Sequence, residues 1–304
     1  MSEARSSTGT IPTLTELIGL RAMTHTRTGA KQGRHGLLAQ ASSRLLGRGM
    51  EYAESRRYVP GDDARLIDWR LTARTGHTHT KLFQAERERL TLIVADTAPA
   101  LYFGTRVRFK SVQAARAGAL MAWQAVRDGD RIAALRGSQR EPPVAPAAGQ
   151  RGALRTLDAL VRWYTKRPDE DAGLSLALDH ARRLLRPGSR LLVLAEPASI
   201  ASVPELLWPE LARHHDARVL LLTDPLEHRP PVARLPFALG DGRLELGLDQ
   251  AAVRQRWKQA FDGVLEQALA CLSSHGLAAA SLSSDTPTEI VRDLLRHPPA
   301  RRVS

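Results

Sequence analysis

Cysteine is nearly absent from this chain. Cys271 is the only one in 304 residues, so no disulfide can form within it, which fits a reducing cytoplasm. Aromatic residues are scarce at 5%, which argues against a base-stacking nucleic-acid surface. Lysine is rare as well. Only five of the 44 basic side chains are lysines; the rest are arginines, whose planar, two-pronged guanidinium suits ion-pair networks with carboxylates. No apolar run approaches the roughly 18 residues needed to cross a bilayer. The N-terminus MSEARSSTGTIPT lacks the basic-then-apolar pattern of a signal peptide. There is no G-x-x-x-x-G-K-[ST] phosphate loop and no nucleophile elbow, so neither ATP hydrolysis nor a serine-based triad is expected.

What is present points to a sizeable fold. With 43% hydrophobic residues the chain can bury a large core, as one α/β domain or one domain with extensions. A formal net charge of +12 permits contact with nucleic acid or a membrane surface, yet the positive charges are scattered rather than blocked.

Short apolar runs alternate with helical periodicity. Residues 90–96, 131–135, 190–195 and 217–223 read as strands, and 109–127, 152–164, 174–185 and 204–214 as helices. That alternation predicts the α/β class, a mostly parallel sheet covered by helices on both faces. Three strands end in acids, Asp96, Glu196 and Asp224. They would lie along the carboxyl edge, where open α/β sheets bind ligands. Residues 13–23 read as a short amphipathic helix, 24–47 as irregular and 142–148 as a Pro-rich separator. Further on, 229–248 read as a hairpin about Asp241-Gly242. One long amphipathic helix is expected over 249–274, with Trp257, Phe261, Leu265 and Leu269 on one face, then a strand over 277–282 and a helix over 288–295. The expected layout is a tail and short helix over 1–30, a charged arm over 31–89 packed on the core, an α/β domain over 90–225, and a hairpin with helices over 226–304 completing that domain.

The most informative segment is 47–88, GRGMEYAESRRYVPGDDARLIDWRLTARTGHTHTKLFQAERE. Glu51, Glu54, Arg56, Asp62, Asp63, Arg65, Asp68, Arg70, Arg74, Lys81 and Glu86 alternate in sign. Tyr52, Tyr58 and Trp69 would serve as apolar anchors, and Pro60-Gly61 marks a turn. Asp62 is placed to cap a helix over 63–74, and 78–86 alternates as a strand. Such a segment is either an ion-pair lattice that clamps the arm onto the core or a docking surface for another protein.

These words resemble the signature of the DUF58 family, bacterial proteins usually encoded beside MoxR-type AAA+ ATPases. The resemblance is carried by GRGMEYAESRRYVPGDD (47–63), RLIDWRLTAR (65–74), KLFQAERE (81–88), FGTRVRFKSVQAARAGALMAW (103–123) and DGDRIAAL (128–135). It implies a Rossmann-like von Willebrand factor A-type domain, here in a short form without the two membrane helices that many relatives carry ahead of the signature. In that fold the first strand ends in Asp-x-Ser-x-Ser, and a Thr and an Asp from later loops complete an oxygen-ligated Mg²⁺ site. Here the strand end reads Asp96-Thr97-Ala98-Pro99-Ala100, with alanines at both hydroxyl positions. The later loop reads DEDAGLS over 169–175, and the third core strand ends Ala195-Glu196-Pro197. A methyl group cannot coordinate Mg²⁺, so Asp96, Ala98, Ala100 and Glu196 mark a degenerate site and no cofactor is expected. The alternatives are a remodelled Mg²⁺ site using Asp96, Glu196 and water, or acids at strand ends by coincidence.

Other candidates have plainer readings. His77 and His79 sit two apart on a predicted strand and could begin a Zn²⁺ site, but nothing close supplies a third ligand. His214-His215 ends a helix, where a cation meets the dipole favourably. The resemblance implies a cytoplasmic, non-enzymatic adaptor. It would work with a MoxR-type AAA+ ATPase in maturation of, or metal insertion into, a client protein, with contact near the signature and near 96–104. The alternatives are a basic nucleic-acid-binding protein, whose affinity would fall steeply with salt, and a hydrolase or metal enzyme using the acids of the sheet edge.

Overall fold

A computed structural model of the chain describes residues 9–24, 50–85, 89–239 and 242–296, the side chains of 50–54, 82–85 and 238–239 excepted. The chain divides into two compact units, one of Met1–Thr26 with Arg89–Ser304, the other of Arg27–Glu88. The larger opens with α1 (Leu14–Gly19) and α2 (Arg21–Thr24). The smaller holds β1 (Met50–Arg57), α3 (Trp69–Thr75) and β2 (His79–Ala85). The larger then resumes with β3 (Leu90–Ala95), α4 (Lys110–Asp128), β4 (Arg131–Arg136), β5 (Val144–Ala148), α5 (Gly149–Thr165), α6 (Gly173–Leu184) and β6 (Arg190–Ala195). It closes with α7 (Leu207–His214), β7 (Asp216–Thr223), α8 (Pro225–His228), β8 (Arg234–Leu239), β9 (Gly242–Gly247), α9 (Ala251–Lys258), α10 (Val264–Ser274), β10 (Ala278–Ser283) and α11 (Thr288–Arg296).

Six strands form the central sheet in the order β10-β7-β6-β3-β4-β5. All neighbours are parallel except β5, which runs antiparallel along β4 at one edge. The α/β expectation therefore holds. Strands buried on both faces read as near-continuous apolar runs, and β3 and β6 do apart from Thr91 and the leading Arg190. Ile93, Ala95, Leu192 and Leu194 point into one core layer with α1, α4, α5 and α11. Leu92, Val94, Leu191 and Val193 point into the other with α6, α7 and α10. The alanines of α4 let that helix lie close to the sheet, and Gly118 lets α5 approach it. A Cβ at Gly118 would sit 2.7 Å from Leu160 Cδ1 and 3.4 Å from Leu194 Cδ1.

At the amino edge of the sheet, arginines are used internally. Buried Arg190 lies 3.1 Å from Asp128 and 3.4 Å from Asp130, and Arg89 pairs with Asp130 at 3.2 Å. Part of the basic excess is thus spent on the fold rather than offered to a partner.

In the smaller unit β1 and β2 pair antiparallel, from Met50 opposite Ala85 to Arg57 opposite His79, with a bulge between Tyr52 and Glu54. Strand β1 was not foreseen. Its polar, charge-alternating sequence has no apolar period, and a neighbouring strand defines it. The predicted helix over 63–74 is two pieces, a single 3₁₀ turn Ala64–Leu66 followed by α3. Asp62 caps neither. Asp63 accepts from Arg65 N in front of the turn, and Asp68 accepts from Leu71 N at 3.1 Å in front of α3.

Elsewhere the separator at 142–148 contains the edge strand β5. Its Pro and Ala residues favour strand weakly, but an edge position tolerates a proline that has no amide to donate. The helix foreseen over 204–214 starts only at Leu207, after a 3₁₀ segment Pro197–Ser202. The helix foreseen over 249–274 starts at Ala251 and passes through a π-turn, Gln259–Gly263, between α9 and α10. Among the described residues no helix is long and apolar enough to cross a membrane.

Candidate functional site

The switch point of the doubly wound order falls between β3 and β6, and the crevice beyond the carboxyl ends of such strands is where this architecture binds ligands. The in-phase parallel register of β3, β6 and β7 brings their terminal acids together there. Asp96 is buried at 3% exposure. Its Oδ1 accepts from Ala98 N at 3.0 Å and its Oδ2 from Glu196 N at 2.9 Å. The Tyr164 hydroxyl donates to its carbonyl oxygen at 3.0 Å. Burial raises the carboxyl pKa of Asp96 above the ordinary value, against the opposing donors from Ser199, Glu196 and Ala98.

Asp224 begins α8 as a capping box with Glu227. Its carboxylate accepts from Leu226 N and Thr105 N, each at 3.0 Å, from the Ser284 hydroxyl at 2.7 Å and from the Thr105 hydroxyl. Burial pulls its pKa up, but these donors prevail and hold it below the usual range. The loop after β3 is thereby tied to β7. Arg108 on the same loop donates to the Ser284 carbonyl at 3.0 Å, tying it to the end of β10 as well.

The centre of this edge is Lys110, the first residue of α4. It is wholly buried. Its Nζ donates to Glu196 Oε2 at 2.9 Å and to Glu227 Oε1 at 2.6 Å, while Glu227 Oε2 accepts from Asp224 N at 2.8 Å. Burial alone would drive the ammonium to lose its proton, but the two carboxylates outweigh it and raise the pKa. Glu196 is pushed up to about 6, chiefly by burial and despite Lys110. Sequence reasoning identified Asp96, Glu196 and Asp224 but missed Lys110 and Glu227. The available signal was a rare lysine opening an Ala-rich helix that is otherwise set against the sheet.

These donors and acceptors do not fit a Mg²⁺ ion. Both oxygens of Asp96 are taken by backbone amides, Ala98 and Ala100 offer methyl groups, and an ammonium stands between the two glutamates. Of the acids of the 169–175 loop, Asp171 lies near enough to raise the pKa of Asp96, and Glu170 and Asp171 have donors of their own. Glu170 accepts from Gln139 N at 2.7 Å and from the Ser138 hydroxyl, and Asp171 accepts from Gly173 N at 2.9 Å. Among the described residues no group of three His, Cys, Asp or Glu side chains is arranged to hold a metal ion. The hydroxyls of Thr97 and Ser111, which follow Asp96 and Lys110 in the chain, are buried without a partner.

The signature residues fall in the smaller unit. Arg56 pairs with Asp62 at 2.6 Å, and Asp62 Oδ2 accepts from Val59 N at 3.0 Å, closing the turn at Gly61 (φ +107°). The Tyr58 hydroxyl donates to the Asp62 carbonyl at 3.2 Å. Asp68 also accepts from the Ser55 hydroxyl at 3.1 Å, and Lys81 lies on β2 opposite Ser55. The Asp62 and Asp68 carboxyls are both held below the ordinary value, first by backbone donors. Glu51 and Glu54 lie on β1; their side chains, that of Tyr52, and all of Glu86 lie outside the described residues. Among the described side chains of this unit, Arg56 and Asp62 form an ion pair. Asp63, Arg65, Arg70 and Arg74 are exposed.

Trp69, expected as an apolar anchor, lies at the surface. It is 69% exposed at the first position of α3, whose half-buried residues are Leu71 and Thr72. Trp69, Arg70, Ala73 and Arg74 share the outer face. The foreseen histidine pair does not act together on a strand. His77 precedes β2, and the His79 ring nitrogen Nδ1 is 2.7 Å from the His77 carbonyl oxygen.

Uncharacterized proteins Rv1480 of Mycobacterium tuberculosis and Mb1516 of Mycobacterium bovis are each 28% identical to this chain over 264 residues, covering 85% of it and 81% of their own length. The family model described as "Protein of unknown function DUF58" matches residues 54–262, a span that takes in the signature hairpin, the switch-point acids and Lys110. With more than half of its length matched, the chain belongs to the DUF58 family.

Proposed function

We propose that this protein is a non-enzymatic adaptor with a von Willebrand factor A-type core, working with a MoxR-type AAA+ ATPase in the maturation of, or metal insertion into, a client protein. The doubly wound strand order and the acid at the tip of β3 support the core assignment. The polar edge at the switch point, whose acids accept from internal donors, supports a role in recognition rather than chemistry. Among the described residues its carboxylates form no metal-holding cluster. The observation that carries the reading is Trp69, a large aromatic 69% exposed within the family segment and flanked on its face by Arg70 and Arg74. Trp and Arg are the side chains that most often dominate binding energy at protein interfaces.

Co-purification of the full chain with a MoxR-type AAA+ ATPase from the same genome, with and without ATP, tests the proposal. Complex formation that weakens in Trp69→Ala is expected. No association in either nucleotide state overturns it. Salt-sensitive binding to DNA or RNA in place of the ATPase would favour a nucleic-acid partner instead.

A further inference from the structure

We propose that Lys110 is the resident cation of the sheet's carboxyl edge, its ammonium standing where a divalent ion would otherwise be required, so that the edge is set in one conformation without metal. The geometry supports this independently of any partner. Two buried carboxylates from different elements, Glu196 after β6 and Glu227 in α8, converge on one Nζ at 2.9 and 2.6 Å. Two buried carboxyl groups brought this close need either a shared proton or a positive charge between them, and here the ammonium is the group that both contact. The charge balance has the form that such an exchange leaves. A divalent ion would offset both carboxylates, whereas an ammonium offsets one. Other oxygens of the edge are held by backbone amides: Glu227 Oε2 accepts from Asp224 N, and Asp96 accepts from two amides.

The test uses the full chain, thermal melting, and Mn²⁺ or Mg²⁺ as probes. The parent protein should melt at the same temperature in EDTA and in millimolar Mg²⁺, and should bind no Mn²⁺ detectable by electron paramagnetic resonance. Lys110→Ala should melt lower in EDTA and recover by about 5 °C or more when either ion is present at a hundredfold excess over its Kd. That recovery should vanish in Lys110→Ala combined with Glu196→Gln and Glu227→Gln. Should Lys110→Ala be insoluble in EDTA, refolding is compared with and without Mn²⁺, and soluble protein only with the ion gives the same support. Three results each overturn the proposal. These are a saturable metal-dependent rise in the parent's melting point, a Lys110→Ala variant as stable as the parent in EDTA, and a destabilised Lys110→Ala that no divalent ion restores.

Discussion

Glu196→Gln removes one negative charge from a buried cluster that holds one ammonium and two carboxylates. The Glu196 carboxyl is pushed up from 4.5 to about 6, chiefly because burial penalises its ionised form. The folded protein therefore holds this proton more tightly than the unfolded chain between those two values. Stability from this group is greatest below pH 4.5, falls as pH rises to about 6, and stays low above it. A shift of about 1.5 units corresponds to roughly 2 kcal/mol. Glutamine keeps an oxygen for Lys110 Nζ and carries no charge at any pH. At neutral pH the variant should be as stable as the parent, or more stable by up to about 2 kcal/mol. Lys110→Met acts in the opposite sense. It strands both carboxylates and should cost about 3–5 kcal/mol, less in mild acid, where the stranded groups take up protons. Urea unfolding across a pH series measures each difference. A Glu196→Gln variant weaker than the parent by more than about 1 kcal/mol at neutral pH would refute the reasoning. So would a parent-minus-variant difference that is flat from pH 4.5 to about 6.

Further outcomes are expected elsewhere. Trp69→Ala should leave the melting temperature unchanged while weakening association with the ATPase about tenfold or more; circular dichroism and a binding titration separate the two effects. Asp68→Ala removes the acceptor for both Leu71 N and the Ser55 hydroxyl. Hydrogen exchange should quicken at the amides of α3 and remain unchanged in β3 and β6. Gly137→Ala would place a methyl group against the Gly173 carbonyl oxygen, where the backbone cannot yield cheaply. The overpacking should cost about 1–3 kcal/mol, and unchanged melting would show that the turn can move aside.

The sheet was legible because β3, β6 and β7 carry short, largely apolar runs ended by acids, the pattern of a buried parallel strand. Strand β5 was hidden because it is defined by a neighbour rather than by its own Ala- and Pro-rich sequence. Asp62, Asp63 and Asp68 are all short acids suited to capping, and backbone geometry decides that the last two serve as caps while the first closes the turn. At the candidate site the acids could be read from strand ends. Lys110 could not, because its partners lie 86 and 117 residues further along the chain. The exposure of Trp69 could not be read from the sequence, because it depends on which face of α3 its position takes.

Edge strand β5 constrains how other chains can attach. It lies antiparallel along β4, its register is interrupted between Ile132 and Ala134, and Pro146 offers no amide outward. A polypeptide seeking to lengthen the sheet from this side would meet a broken ladder of donors, so self-stacking into fibrils is discouraged there. The sheet's other border runs along β10, and any partner holding the β5 flank would need side chains rather than a shared ladder.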